Sequence, residues 1–205
     1  MSSYYDSEAS VYDESRGGTA RARAVAQAVR ELVPPDLTRP GGSCLDLAGG
    51  TGSVSAEMAR SGLSVFVADT SVGMLGVAAT RLPGRVLCTR AERLALRDGS
   101  VDLVTAIWLL HLLPVEIADQ VIAEAARVLR PGGHLVATVD KDLAEGRARR
   151  TDADASERVV GVAHRCGLVE AGTNSFVGQT RWTGFEDRRF PVLALRNSSD
   201  NGGEP

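Results

Sequence analysis

From residue 20 to residue 167, apolar runs of strand length alternate with amphipathic segments of helix length. That rhythm predicts a parallel sheet assembled from βαβ units, and few architectures other than a helix-covered α/β sheet accommodate it. An Ala-rich helix over Thr19 to Val33 stops at Pro34-Pro35, and the turn Pro40-Gly41-Gly42 launches a first strand, Ser43 to Leu47. Helix Gly52 to Arg60, strand Ser64 to Asp69, and a helix Ser71 to Arg81 capped by Ser71 follow. Arg85 to Cys88 reads as a short third strand and Val101 to Ile107 as a fourth. Val115 to Leu129 carries apolar residues at helical spacing, and the turn Arg130-Pro131-Gly132-Gly133 leads into a fifth strand, His134 to Val139.

Beyond this the rhythm changes. Asp154 to Cys166 reads as a helix, and Leu168 to Phe176 and Arg189 to Leu195 read as two strands with no helix between them. Such a pair belongs at a sheet edge as an antiparallel hairpin. Its connecting loop holds Trp182 and Phe185. At 205 residues and 43% hydrophobic, the chain has enough core for one domain, placed at residues 19–196. Residues 1–18 are expected as a separate N-terminal segment, and the polar, Gly-rich residues 197–205 as a disordered tail.

A net charge of -3 supplies no basic field for a phosphate backbone, which argues against DNA as a partner. No apolar run approaches the ~20 residues of a membrane span, and the acidic start MSSYYDSEAS is unlike a targeting peptide, so a cytoplasmic protein is expected. Cys44, Cys88 and Cys166 are far apart and lie in apolar segments, which predicts buried free thiols and no metal site.

The segment Cys44-Leu45-Asp46-Leu47-Ala48-Gly49-Gly50-Thr51-Gly52-Ser53 sets a glycine-rich turn between a strand and a helix, where backbone can approach a nucleotide-like ligand. It lacks the Lys-Ser/Thr ending of a phosphate loop, and Ser55 stands where a dinucleotide turn has its third glycine. Asp46, at the strand end beneath the turn, would repel a pyrophosphate and attract a cation. S-adenosylmethionine (SAM), with its ammonium and sulfonium, fits that charge better than NAD or ATP. Asp69 ends the second strand at a spacing from which a carboxylate can accept ribose hydroxyls.

These motifs resemble the class I SAM-dependent methyltransferases, in the broad group of ubiquinone-biosynthesis and small-molecule enzymes. The resemblance runs from Tyr12 to Arg196 through LDLAGGTG at 45 to 52, ADTSVGML at 68 to 75, AERL at 91 to 94, DGSVDLVTAIWLLHLL at 98 to 113 and EAARVLRPGGHLVATVD at 124 to 140. It implies a Rossmann-like α/β fold, a mostly parallel seven-stranded sheet of order 3-2-1-4-5-7-6 with strand seven antiparallel and helices on both faces. It also implies roles. Asp46 would hold the methionine ammonium, with the backbone of Ala48, Gly49 and Gly50 packed under it; Ala48 replaces the commoner glycine. Asp69 would bind the ribose, with Thr70 and Met74 beside the adenosine, and Ala91 and Glu92 would meet the adenine edge. Arg90 stands where the family often has an Asp facing adenine. Ile107 and Trp108 would line the methionine part and the transfer path. Tyr12 and Arg16 would reach the methionine carboxylate from an N-terminal lid; a solvated arm is the other reading of that segment.

His111 is the first choice for a general base toward a hydroxyl acceptor, with Asp140 second, although four neighbouring leucines equally suit a structural histidine. The expected activity is methyl transfer to a small-molecule acceptor, in secondary metabolism by the same resemblance. A SAM-binding protein that catalyses a cyclisation or does no chemistry, and a methyltransferase acting on RNA or protein, are the alternatives. The stretches Lys141 to Asp154 and Gly178 to Asp187 are short, so the acceptor pocket should be shallow unless the N-terminal segment, or the second subunit of a homodimer, closes it.

Overall fold

A computed structural model describes residues 2–178 and 188–198. Seven strands, β1 (Ser43–Leu47), β2 (Ser64–Asp69), β3 (Val86–Cys88), β4 (Val101–Ala106), β5 (Leu129–Thr138), β6 (Leu168–Gly178) and β7 (Arg188–Asn197), form one sheet of order β3-β2-β1-β4-β5-β7-β6. The order is the expected one. The sheet is mixed: β1 to β5 pair in parallel, while β7 runs antiparallel to both β5 and β6. The loop with Trp182 and Phe185 lies outside the described residues.

Every residue of β4 is buried, as befits a central strand covered on both faces. Helix α2 (Gly18–Leu32) packs its Ala/Val stripe on one face beside α3 (Ser53–Ala59), enclosing Val25, Met58, Val65 and Phe190. Helices α5 (Val115–Val128) and α7 (Ser156–Arg165) cover the other face, over Leu45, Val104, Leu135 and Leu195. Helix α4 (Val72–Arg81) lies on β2 through Leu75 and Ala78, and the Ser71 hydroxyl caps it by accepting from Met74 N at 3.2 Å.

Three expectations change. β5 begins at Leu129, so Arg130-Pro131-Gly132-Gly133 is part of the strand. The register shifts between Val101 and Leu103, and Gly133 lets the backbones approach: a Cβ there would sit 2.9 Å from the Asp102 carbonyl oxygen. Asn197 belongs to β7 and donates to Leu129 O at 2.8 Å, so the proposed tail begins too early; residues 199–205 lie outside the described set. Cys88 is exposed, because it ends the edge strand β3, while Cys44 is buried as expected.

The N-terminal segment is structured: α1 (Ser2–Glu8) leads to a 3-10 turn, Glu14–Arg16. Two aspartates dock it. Asp6 accepts from Ser71 Oγ at 2.6 Å and from Gly73 N at 2.9 Å. Asp13 accepts from Thr51 Oγ1 at 2.7 Å and pairs with Arg81 Nη2 at 2.7 Å. A short helix, α6 (Lys141–Ala144), fills the stretch after β5 and carries a buried ion pair, Lys141 Nζ to Glu145 Oε1 at 2.8 Å.

Candidate active site

The C-terminal ends of β1, β2 and β4 open on a cavity of about 720 Å³, large for a small-molecule site. It stands where the strand order reverses, the usual position of a ligand crevice in an open α/β sheet. The turn after β1 forms its floor. Ala48, Gly50 and Gly52 have φ of 53°, 56° and 71°. Ala48 thus accepts a left-handed conformation that glycine takes without strain. Gly49 N donates to Ala68 O at 3.3 Å, and a Cβ on Gly49 would lie 2.7 Å from Asp46 Oδ2. The carboxylate and the turn are therefore in contact, and only a glycine fits between them.

Asp46 is 2% exposed and accepts from Thr105 Oγ1 at 2.7 Å and from Ser55 Oγ. Burial pushes its carboxyl up to about 6 against the pull of the two hydroxyls. A buried carboxylate that retains its proton so readily is one a ligand cation would complete. Asp69 ends the neighbouring strand and accepts from Gly50 N at 3.0 Å and Ser71 N at 2.9 Å. These two amides fix its orientation and leave acceptor capacity for a diol.

The cavity wall includes Tyr12, Asp46, Ala48, Gly49, Gly50, Asp69, Thr70, Met74, Ala91, Glu92, Ile107 and Trp108, all named from the sequence. Arg16 and His111 do not line it. Arg16 lies over the Tyr12 ring at 4.0 Å and faces Glu8 at 3.5 Å. His111 sits in the 3-10 turn Leu110–Leu112, buried, while Leu109, Leu112 and Leu113 take the cavity side. Burial, with Lys141, Arg150 and Arg147 within electrostatic reach, pulls its imidazole down to about 3. Such a ring is neutral at working pH, weakly basic and turned from the cavity, and the expected general base loses its geometric support. Asp140, the second choice, does not line the cavity either and pairs with Arg149.

Sequence reasoning missed Tyr5 and Arg21, both on the wall. Arg21 occupies an inner position of α2 in phase with Val25 and Ala28, so the available signal was a charge standing on an apolar stripe. The apolar half of the cavity, Leu109, Leu112, Leu113, Pro114 and Ile117, was also unassigned.

Residues 45–137 match the family model described as a methyltransferase domain. The sheet order and the site agree with that match, and the segment is similar in sequence and fold to the class I SAM-dependent methyltransferases. Within that class its sequence is similar to the quinone-biosynthesis group. A demethylmenaquinone methyltransferase of Beutenbergia cavernae is 41% identical over 99 residues, 48% of this chain and 40% of the relative. The chain thus spans less than half the length of the curated relatives it matches. Solved structures share the fold. A magnesium protoporphyrin IX methyltransferase of Synechocystis PCC 6803 with bound SAM has a TM-score of 0.66 at 21% identity, over 86% of this chain and 79% of that one. A SAM-dependent methyltransferase of Thermotoga maritima has a TM-score of 0.68 at 16% identity, over 96% of this chain and 100% of its own.

Proposed function

We propose that the protein transfers a methyl group from SAM to a small, largely apolar acceptor. The observation that carries this reading is one cavity with two chemistries: carboxylates Asp46 and Asp69 around a glycine turn at one end, and a wall of Leu109, Leu112, Leu113, Pro114 and Ile117 at the other. Bound SAM would supply a methyl carbon already activated by its sulfonium. The protein's work is then to hold the ammonium at Asp46 and the ribose at Asp69, to align the acceptor, and to exclude water. The two residues considered as a base, His111 and Asp140, lie off the wall, which suits an acceptor that ionises on its own. The names of the curated relatives, demethylmenaquinone methyltransferases, support a ring-bearing acceptor for this chain.

Calorimetry should detect binding of SAM and S-adenosylhomocysteine and none of NAD or ATP. Asp69→Ala should weaken SAM by about 1 to 3 kcal/mol through the lost charge-assisted bonds to the ribose. NAD binding without SAM binding would overturn the reading.

Residues 1–18 serve, on the same proposal, as a lid. The arm adds Tyr5 and Tyr12 to the cavity wall, and of its described side chains only Ala9 is buried in the core, so its removal should spare the fold. A milder test leaves the arm intact: a Cβ at Gly73 would lie 2.8 Å from Asp6 Cα. Gly73→Ala favours helix α4 and displaces the arm. Both the deletion and Gly73→Ala should keep the melting temperature within a few degrees and weaken SAM roughly ten-fold. Unchanged affinity and turnover in both would rule out a lid.

A further inference from the structure

The N-terminal arm and the glycine turn meet at an arginine that is not part of the cavity wall. Asp13 on the arm takes one donor at each carboxylate oxygen: Oδ1 accepts from Thr51 Oγ1 at 2.7 Å, and Oδ2 faces Arg81 Nη2 at 2.7 Å. Arg81 directs its other terminal nitrogen to the same threonine, Nη1 donating to Thr51 O at 2.7 Å. The ring closes on itself. Its three corners come from separate parts of the chain: the arm, the turn after β1, and the last turn of α4.

An exposed ion pair alone contributes little, and Arg81 keeps 34% of its side-chain surface. The threonine makes the difference. Thr51 is 1% exposed, so Asp13, and not water, satisfies its hydroxyl while the arm is docked. The turn also rests on α4 directly, since a Cβ on Gly52 would lie 3.1 Å from Ala78 Cβ, one helical turn before Arg81. The other clasp leads to the same place: Asp6 accepts from Ser71 Oγ, and Ser71 N donates to Asp69 Oδ1 at 2.9 Å. Thr51 follows Gly50, whose amide holds Asp69 Oδ2. Each aspartate of the arm thus ends no more than one residue from a backbone amide that orients Asp69.

We infer that Arg81 is a positioning residue that makes arm docking and the geometry of the glycine turn a single equilibrium. With the arm docked, Asp13 holds the guanidinium where it fixes the Thr51 carbonyl. With the arm released, Arg81 loses its carboxylate, Thr51 loses the acceptor for its hydroxyl, and one bond remains of the ring. Such coupling is reciprocal, so a ligand that tightens the turn from the cavity side tightens the arm by the same factor. The inference goes beyond the lid reading, which needs only that the arm covers the ligand; it rests on the docked arm and not on the ligand's identity.

Hydrogen exchange on the ligand-free, full-length chain tests it, because the bonded amides of Gly49, Gly50 and Gly52 report on the turn. Asp13→Ala alters only the arm, and Arg81→Met keeps the stem and removes the donors. Both variants should speed exchange several-fold in the arm, residues 2–16, and in the turn, residues 49–52. Any other pattern overturns the inference, including acceleration of the arm with the turn at its wild-type rate, which makes Arg81 an anchor only. With S-adenosylhomocysteine, wild type should exchange more slowly in both segments, and Arg81→Met should bind the nucleoside roughly ten-fold more weakly. A complex that protects the turn and leaves the arm at its free rate, or unchanged affinity in Arg81→Met, overturns it too. Wild type that ignores S-adenosylhomocysteine would sink the SAM reading, and the ligand-free exchange would still decide the coupling. Should Arg81→Met not fold, Arg81→Lys keeps the charge and loses the fork; it must speed both segments, and a wild-type rate in either overturns the inference.

Discussion

Replacing His111 with Gln should separate the pH–stability curves of variant and wild type by roughly 2–3 kcal/mol between pH 7 and pH 4.5. The folded imidazole refuses a proton until about 3, whereas an unfolded histidine takes one near 6.5. Across that window the unfolded state binds more protons, so His111 costs stability as the pH falls. Asp46 acts in the opposite direction. Its folded carboxyl holds a proton up to about 6 and the unfolded one releases it near 3.8, so this group loses stability as the pH rises through that range. Between roughly pH 4 and 6 the two contributions nearly cancel. His111→Gln removes one of them, and the variant should gain stability on acidification where wild type is almost flat.

The cofactor should remove the other contribution. An ammonium beside Asp46 favours its ionised form, so affinity should tighten as the pH rises toward 6, and the SAM-loaded wild type should destabilise steeply in acid. Urea unfolding at a series of pH values, with and without S-adenosylhomocysteine, reads both effects. Parallel curves for wild type and His111→Gln would mean that the folded imidazole titrates normally. A turnover inflection near pH 6.5 that vanishes in the variant would return His111 to the chemistry.

The second large effect is expected at Phe190. It is fully buried on β7, 5.7 Å from both Phe176 and Trp108, and its ring joins the sheet core to the Trp108 turn. Phe190→Ala should cost about 3–5 kcal/mol of stability, which for a chain of this size lowers the melting temperature by roughly 6–20 °C. A variant with wild-type melting would show that the aromatic cluster is dispensable.

The strands from β1 to β4 were legible because each is a short apolar run with a glycine one or two residues before it, and their boundaries moved by a residue at most. β5 was harder. Pro131-Gly132-Gly133 reads as a turn, and only the pairing with β4, with Arg130 Nε set 2.5 Å from Asp102, makes it strand. Helix α1 carries SSYYDSE, which has no apolar period; tertiary contacts to α4, not propensity, account for it. In the site, the residues bound to the glycine turn and strand ends were found because backbone geometry fixes where they point. His111 and Arg16 lie off the cavity wall, each in a 3-10 turn, where one position of phase separates one side from the other. Arg21 was overlooked for the opposite reason, since it alternates with Arg23 among alanines and both are easily taken as solvent-facing.

On the proposed lid role, the two aspartate clasps of the N-terminal arm would also set a clock. A ligand enclosed beneath Tyr5 and Tyr12 leaves no faster than Asp6 and Asp13 let go, so residence time is governed by the arm and equilibrium affinity by the whole cavity. Tightening the clasps would exclude water better and lengthen the dwell of spent cofactor, whereas loosening them would speed exchange and dilute the chemistry with solvent. The arm's hold is therefore a compromise between protecting the reaction and clearing its product, and the highest attainable turnover lies at intermediate strength.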